Sequence, residues 1–468
     1  MRWATLLRGA WNRPISLFVT LKRPKMQKEL SWFWVQSHVS ESVTLWDRCA
    51  MPSTSSGPIY SREEQYKREQ AYDEALHSVE RELRRVPRSA VERLETKSRV
   101  VATFANFASI GLGLDKSAIN LLTDDFLTSG AKFSRLAREF DPSLSMADII
   151  QACRSAWTAC GLQLLLGDSM EITPAILGYS LLYPYSDNYL DRADVITEAK
   201  FQFSKRFRER LLGGSPSASD HRETALWALV GLIEEQFPRS LYPQVFDCLL
   251  AIHQAQEESI AQLGNITELS DAQLLRITCA KGGTSVLADA CLAHGWLSDT
   301  ESRFSFEWGV LLQLGDDLQD VREDLARGSH SLFTRAVHAK IPLDALVIQL
   351  LNFSERVTAE MDCLPGASKM LKELLSTSWR SLIIGAVAES HEHFSPEFLG
   401  FIERLSPFRF DFLRARHKKL SSRQSLYSNL FEALLELGES DGSLPLNARC
   451  SIRLGANLEP AAALAVAG

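Results

Sequence analysis

Residues 312–320 read Leu-Gln-Leu-Gly-Asp-Asp-Leu-Gln-Asp, an acidic stretch that directly follows an apolar run. A helix turns by about 100° per residue, so a helix through this stretch places Asp316, Asp320 and Asp324 within roughly 80° of one another. Like charges at this spacing repel by a few tenths of a kcal/mol per pair when exposed. The row of carboxylates therefore predicts a site for divalent cations.

A second acidic stretch, Asp-Asn-Tyr-Leu-Asp-Arg-Ala-Asp, begins at Asp187. If one helix continued through it to Glu198, then Asp187, Asp191, Asp194 and Glu198 would lie within roughly 60° of one another. The alternative is an exposed acidic helix start, since Pro184 suits a first helical turn and carboxylates favour that end. Tyrosines on both sides of Asp187 favour a lined cavity instead.

Composition indicates a globular protein with a substantial core. The chain has 468 residues, 45% of them hydrophobic and 23% charged, and a net charge of −7. This charge argues against nucleic acid as the main partner, and no apolar run of about 18 residues predicts a membrane span. The eight cysteines include no Cys-x-x-Cys pair, which predicts reduced, mostly buried thiols in a cytoplasmic protein.

The beginning of the chain differs from the rest. Seven basic residues and no acid precede Glu29, which indicates a targeting or membrane-surface segment with peripheral membrane contact. The alternative is that Met51 is the natural start and the leader is a start-site artefact. The predicted divisions are a basic, Trp-rich extension (1–50), a polar linker with charged, solvated helices (51–94), one all-α domain (95–438) and a poorly ordered tail (439–468).

Apolar residues recur at helical spacing to about residue 435, and strand signals are sparse. The predicted fold is all-α, either one large helical bundle or an orthogonal packing of some twelve helices. Helix breaks are expected at Gly167-Asp168, at Gly213 to Pro216, at Phe237-Pro238, at Pro342, at Pro365-Gly366 and at Ser406-Pro407.

The stretch 312–320 resembles the second aspartate-rich motif of trans-prenyl diphosphate synthases, although Leu312 stands where a Phe is usual. The segment 281–284, Lys-Gly-Gly-Thr, resembles their Lys-Thr element. The spacing of Asp187 and Asp191 is similar to that of squalene/phytoene-synthase-like and some bacterial terpene synthases. Over roughly residues 100–420, the chain thus resembles the class I isoprenoid synthases.

The resemblance implies a helical bundle with a central active-site cavity, in which Mg²⁺ ions, three per active site, bridge carboxylates to a prenyl diphosphate substrate. The implied catalytic metal ligands are Asp187 and Asp191 on one wall and Asp316 and Asp320 on the other. Further ligands or hydrogen-bond partners would be Asp194, Asp317 and Asp324. The implied substrate-binding residues are Lys281, Arg206, Arg409 and Gln313.

Two departures bear on the reaction type. Elongating prenyl synthases have paired aspartates in the first motif, whereas Ser186 precedes Asp187 here. Their downstream Arg-Arg pair is also missing, and the nearest cations are Lys205, Arg206, Arg208 and Arg210. Both departures favour a terpene synthase that ionises and cyclises a single substrate over an elongating or head-to-head synthase. The row at Asp316 fits both the prenyl-synthase and the cyclase spacing.

Other interpretations remain open. Helix-borne acidic clusters also occur in all-α nucleotide pyrophosphohydrolases, and a non-catalytic subunit could keep the same fold. Arg409 begins a basic, aromatic segment that would serve either as a lid over diphosphate or as a surface helix. The histidines flanking Glu392 indicate a polar helix end, because they lack zinc-protease spacing. A homodimer is one possible assembly.

Overall fold

The computed structural model describes residues 32–50, 57–84, 89–190, 192, 194–263, 269–421 and 435. Every regular element in this part of the chain is helical, so the predicted all-α class is confirmed. None of the helices in these ranges is both long enough and apolar enough to cross a membrane. The predicted tail, 439–468, lies outside the described residues.

The described part of the chain forms eighteen α-helices, more than the roughly twelve expected, and four of them have eight residues or fewer. The first nine are α1 (Trp32–Arg48), α2 (Arg62–Leu83), α3 (Ala90–Phe107), α4 (Lys116–Asn120), α5 (Leu127–Phe140), α6 (Met146–Leu165), α7 (Pro174–Leu190), α8 (Thr197–Leu211) and α9 (His221–Gln236). The other nine are α10 (Pro243–Ser259), α11 (Asp271–His294), α12 (Asp299–Gln319), α13 (Val321–Arg327), α14 (Leu332–His338), α15 (Asp344–Glu360), α16 (Lys369–Glu389), α17 (Pro396–Glu403) and α18 (Phe410–Ser421). Wider π-helical turns follow α3 and α4, at Ala108–Leu112 and Leu121–Phe126.

All six predicted helix breaks are confirmed, since each falls between two helices. Gly167 follows α6 with φ of 85°, and Gly213 follows α8 with φ of 91°. Residues with a Cβ rarely adopt this left-handed conformation, so glycine is needed where these two helices end.

The chain divides into two compact units. The first takes its described residues from Met1–Val43, Phe133–Ala261 and Arg276–Val310, and the second from Thr44–Lys132, Gln262–Leu275 and Leu311–Gly468. The boundaries between the units fall inside α1, α5, α11 and α12 and in the 3₁₀ turn Ile260–Leu263. The divisions expected at residues 50, 94 and 438 stay predictions.

In the first unit, α7 packs closely against α6 and α9. Gly178 makes the second contact possible, because a Cβ at this position would lie 2.8 Å from the Leu229 carbonyl oxygen. In the second unit, α2 packs on α3, and α16 packs on α15 and α18. An aromatic cluster of Tyr72, Phe107, Phe408 and Phe412 forms part of this second core.

Helices α11 and α12 cross at unusually short range within the first unit. A Cβ on Gly309 would lie 2.1 Å from the Gly282 carbonyl oxygen and 3.0 Å from the Gly283 Cα. A Cβ on Gly283 would lie 2.4 Å from the ring of Phe306. These glycines therefore allow the backbones of the two helices to touch, which no larger side chain would permit.

Helix α1, within the segment expected to be an extension, is part of the core. Val35 and Val39 are fully buried in the first unit. In the second unit Trp46 is 4% exposed and packs edge-on against Phe353, with ring centroids 6.0 Å apart. Gln349 also donates a hydrogen bond to the Trp46 carbonyl oxygen. Residues 32–48 therefore contribute to packing in both units.

The expected charge-dense helix after Tyr60 is α2, but it is not simply solvated. Glu69, Glu80 and Glu82 are buried on it, so one face of α2 belongs to the core. The expectation of mostly buried thiols is confirmed for the described cysteines, of which Cys363 is the exposed exception.

The burial of α1 is tested by Trp46→Ala, which should lower the free energy of unfolding by about 3–5 kcal/mol, because truncating a buried aromatic side chain leaves a cavity. The control is Asp47→Ala, since Asp47 is exposed in the same helix and its loss should change stability by no more than about 0.5 kcal/mol. Urea denaturation of both variants makes the comparison. Equal stability in the two variants would contradict the packing of α1.

The glycine crossing is tested by Gly309→Ala. Because both helix backbones must move to admit the methyl group, we expect a loss of about 3 kcal/mol in unfolding free energy. Gly231→Ala in α9 is the matched control, since a Cβ there meets nothing within 4 Å and should be neutral or stabilise by up to about 1 kcal/mol. A Gly309→Ala protein as stable as wild type would refute the close approach.

Candidate functional site

The acidic stretch at residues 316–324 forms the row of carboxylates that its spacing predicts. Asp316 lies in the last turn of α12, and Asp320 lies at the junction between α12 and α13. The Asp320 N–H donates to the Asp316 carbonyl oxygen at 2.8 Å, and the Asp324 N–H donates to the Asp320 carbonyl oxygen at 2.9 Å. The helical hydrogen-bond pattern thus continues across the junction. All three aspartates are half-buried. They lie one helical turn apart, on the same side of the helical segment formed by α12 and α13.

Asp317 and Gln313 form a separate pair one turn apart on α12. Asp317 is 9% exposed, and its Oδ1 accepts a hydrogen bond from Gln313 Nε2 at 2.9 Å. Gly315, between them, allows close packing of α16, because a Cβ there would lie 2.5 Å from a methyl group of Leu382. Asp317 was expected to be either a metal ligand or a hydrogen-bond partner. In the structure it forms a hydrogen bond with Gln313.

An ion pair anchors α13 beside this row. Arg322 donates two hydrogen bonds to Glu392, each 2.5 Å long. Burial of Glu392 acts to raise its pKa, but the Arg322 hydrogen bond and other favourable contacts outweigh it and lower the pKa to about 2. Glu392 lies in a short 3₁₀ turn, His391–His393, directly after α16. This confirms the polar helix end that its sequence predicts.

The acidic stretch that begins at Asp187 does not lie on one helix, so the expected common face is wrong. Helix α7 ends at Leu190, Asp194 lies in the following turn and Glu198 belongs to α8. Asp187 is in the last turn of α7, and Asp191 lies outside the described residues.

The alternative reading as a helix start is also wrong, because α7 begins at Pro174 and contains Pro184. Asp194, one of the expected metal ligands, instead accepts two hydrogen bonds from Arg192, at 2.9 and 2.5 Å. The Arg192 hydrogen bonds lower the pKa of Asp194. This carboxylate therefore remains charged next to a guanidinium.

The polar residues around Asp187 are tied to neighbouring segments of the first unit. Tyr185 donates its hydroxyl hydrogen to Asp141 at 2.5 Å, and burial followed by this contact raises the pKa of Tyr185. Asn188 Nδ2 lies 3.4 Å from an oxygen of Asp148, a long hydrogen bond. These contacts hold the end of α7.

Arg222 is a cation near this stretch that sequence analysis missed. Its guanidinium carbon lies 3.4 Å from the ring centroid of Tyr189 and 4.4 Å from that of Phe203. Nη2 lies 3.2 Å from Asp220 and 3.8 Å from Glu223, whereas the buried Nη1 has no hydrogen-bond partner among the described residues. The signal in the sequence was weak, an arginine two residues after Asp220, the acid that caps α9.

Arg206, expected to bind substrate, is committed to a buried carboxylate. Its Nε and Nη2 donate to the two oxygens of Glu223, at 3.0 and 2.6 Å, and Glu223 is fully buried. Burial acts to raise the Glu223 pKa, but the hydrogen bonds from Arg206 and Ser219 lower it overall. Arg210 is similarly paired with Glu234 at 2.7 and 2.5 Å.

Arg409, expected to act in a lid, is also held within the fold of the second unit. It donates to both oxygens of Glu69, at 2.6 to 3.0 Å, and stacks 3.9 Å from the ring centroid of Tyr66. Glu69 is 4% exposed. Releasing Arg409 towards a ligand would leave this buried carboxylate without its cation, which is costly.

The Lys-Gly-Gly-Thr segment has a packing role. Its two glycines form the crossing of α11 with α12. The buried Thr284 hydroxyl donates to the Ala280 carbonyl oxygen at 2.6 Å. Lys281 is half-buried on α11 and remains a candidate for the substrate-binding role.

Among the described residues, no group of three or more His, Cys, Asp and Glu side chains is arranged to hold a metal ion. Asp191, one of the expected ligands, is outside those residues. The donor chemistry nevertheless fits Mg²⁺, which proteins usually hold with one or two carboxylates while waters and substrate phosphates complete the octahedron. Asp316 and Asp320 supply two such carboxylates.

The structural role of Arg206 is tested by Arg206→Gln, which should cost about 3 kcal/mol at pH 7, because Glu223 stays buried and charged without its partner. Since the folded-state pKa of Glu223 is lowered, the pair stabilises above the unfolded pKa of about 4.3 and loses its effect as pH falls. The difference from wild type should therefore be full at pH 7 and shrink as pH falls below about 4. Thermal unfolding across pH measures it.

Lys205→Gln is the control, because Lys205 is exposed in the same helix. Its melting temperature should follow that of wild type at every pH. If Arg206→Gln behaved like Lys205→Gln, the Arg206–Glu223 pair would not be structural.

Comparison with protein-family models, curated proteins and solved structures finds no match for the chain.

Proposed function

We propose that the chain is a Mg²⁺-dependent class I isoprenoid enzyme, a terpene synthase that ionises an allylic prenyl diphosphate and releases pyrophosphate. The observation that carries the proposal is the row of Asp316, Asp320 and Asp324, which keeps helical spacing across the junction of α12 and α13. Carboxylates at this spacing are suited to divalent cations, which would in turn bind the phosphates of the substrate.

Buried apolar residues fix the position of the helix that carries these carboxylates. Leu311, Leu314, Leu318 and Val321 are at most 2% exposed, and they recur every three or four residues along α12 into α13. Asp316, Asp320 and Asp324 lie on the opposite side of this helical segment. A helix fixed in this way holds Asp316 and Asp320 in place for a metal ion, which favours catalysis because little reorganisation is then needed.

In the proposed site of the second unit, Asp316 and Asp320 would hold Mg²⁺, with Asp324 as a further ligand, while the roles that the resemblance implies for Asp187 and Asp191 stay predictions. When bound, Mg²⁺ would neutralise the charge that develops on the departing diphosphate. Asp317 would act indirectly, since its hydrogen bond with Gln313 fixes the side chain beside Asp316.

The arginines that the resemblance implies are held by buried glutamates. Arg206 donates to Glu223, and Arg409 donates to Glu69. Arg222 also pairs with Glu223, with its Nη2 3.8 Å from Oε1, so all three arginines belong to structural ion pairs.

A single-substrate reaction is supported by Ser186. In elongating enzymes an aspartate stands at this position, whereas the buried Ser186 hydroxyl donates to the Leu182 carbonyl oxygen at 2.7 Å. A hydroxyl turned to its own helix does not replace a metal-binding carboxylate. The proposal is therefore ionisation followed by cyclisation or rearrangement.

The proposed roles predict that Asp316→Asn and Asp320→Asn each reduce Mg²⁺-dependent pyrophosphate release by roughly 10²-fold or more, because an amide binds Mg²⁺ far more weakly than a carboxylate does. The measurement is pyrophosphate release from farnesyl, geranylgeranyl and longer diphosphates. Glu373→Gln is the control, since Glu373 is an exposed acid on α16 and its loss should leave the rate unchanged.

Wild-type turnover in both aspartate variants would contradict the assignment. A wild-type protein that releases pyrophosphate from nucleoside triphosphates and from no prenyl diphosphate would favour the nucleotide pyrophosphohydrolase instead. Stoichiometric binding of a partner protein without any turnover would favour the non-catalytic subunit.

A further inference from the structure

Two buried cysteines of the first unit lie in direct contact. Cys248 is on α10 and Cys291 is on α11, and both are fully buried. Their sulfur atoms are 2.7 Å apart, whereas a disulfide bond is about 2.05 Å long. A small adjustment of the two side chains would therefore suffice for a covalent bond.

We infer that Cys248 and Cys291 form an oxidative modification site, at which a peroxide converts the thiol pair into a disulfide that joins α10 to α11. One sulfur attacks the peroxide, gains an oxygen as a sulfenic acid and releases water. The second sulfur then displaces a second water as the sulfur–sulfur bond forms. Two thiols lose two electrons and two protons, and one hydrogen peroxide is reduced to two waters.

The surroundings of Cys248 and Cys291 determine how fast the two thiols are oxidised. Val245 and Leu249 on α10 and Leu287 and Ala288 on α11 are at most 2% exposed, so the sulfurs lie in an apolar region. Burial, followed by the contact with Cys291, raises the pKa of the Cys248 thiol well above its usual range. The attacking thiolate is scarce at neutral pH, and oxidation should therefore be slow at pH 7 and faster at pH 9.

The cross-link would stabilise the first unit. It closes a loop of about 40 residues, which lowers the entropy of the unfolded chain, and the apparent melting temperature should rise by roughly 5 °C or more. Helix α11 also carries Lys281 and the glycines that meet α12, so the bond would tie the glycine crossing to α10. The inference does not depend on the proposed function.

The test uses the full-length, reduced protein treated with hydrogen peroxide at pH 7 and pH 9. After quenching and alkylation of free thiols, peptide mass spectrometry without reductant should show a fragment that joins Cys248 to Cys291 with the loss of two hydrogens. The melting temperature should rise and return to its starting value with a phosphine reductant. Cys363, which is exposed, reports that the peroxide has acted.

Cys248→Ala and Cys291→Ala should each lose the peroxide-dependent rise in melting temperature, measured against the same variant in its reduced form. Cys153→Ala is the matched control, because Cys153 is a fully buried cysteine on α6, and it should keep both the cross-link and the rise. The inference is overturned if Cys248 and Cys291 remain alkylatable at pH 9 after Cys363 has been oxidised. It is also overturned if the cross-linked fragments join other cysteines.

Discussion

A carboxylate buried between apolar helices must find a cation or a hydrogen-bond donor within the protein, and this requirement governs much of the polar chemistry of the chain. Glu223 is fully buried beside Arg206, and Glu69 is 4% exposed beside Arg409. Asp317 is satisfied by the amide of a glutamine one turn earlier. Removing one member of a buried ion pair is far more costly than removing an exposed charge. The primary role of these arginines is therefore to neutralise buried carboxylates.

The carboxylates proposed for function differ in burial and spacing from those that support the structure. The row at Asp316, Asp320 and Asp324 remains half-buried on the side of the helix opposite its apolar stripe. Its spacing suits divalent cations, and repulsion within the row would be relieved when they bind. The glycines beside Lys281 illustrate a related distinction, since a motif that resembles a ligand-binding element also serves as the contact between two helix backbones.

Local signals allowed much of the fold to be predicted from the sequence. Glycines and prolines mark the six confirmed helix breaks, and the four-residue spacing predicted the row at Asp316. The end of α7 at Leu190 was missed because neither glycine nor proline marks it, while Pro184 inside the helix imitates a helix start. The partners of Arg409 could not be predicted, since Glu69 is 340 positions away along the chain. Pairing over such distances depends on tertiary packing, which helical periodicity does not reveal.

The central claim, Mg²⁺-dependent ionisation of a prenyl diphosphate, is tested most directly by product analysis of the wild-type protein. The protein would be incubated with prenyl diphosphates of increasing chain length, with Mg²⁺ and with a chelator, and the extracted products would be identified by gas chromatography and mass spectrometry. The account predicts a cyclic or rearranged terpene from at least one substrate, formed with Mg²⁺ and abolished by the chelator. No product from any chain length in the presence of Mg²⁺ would contradict it.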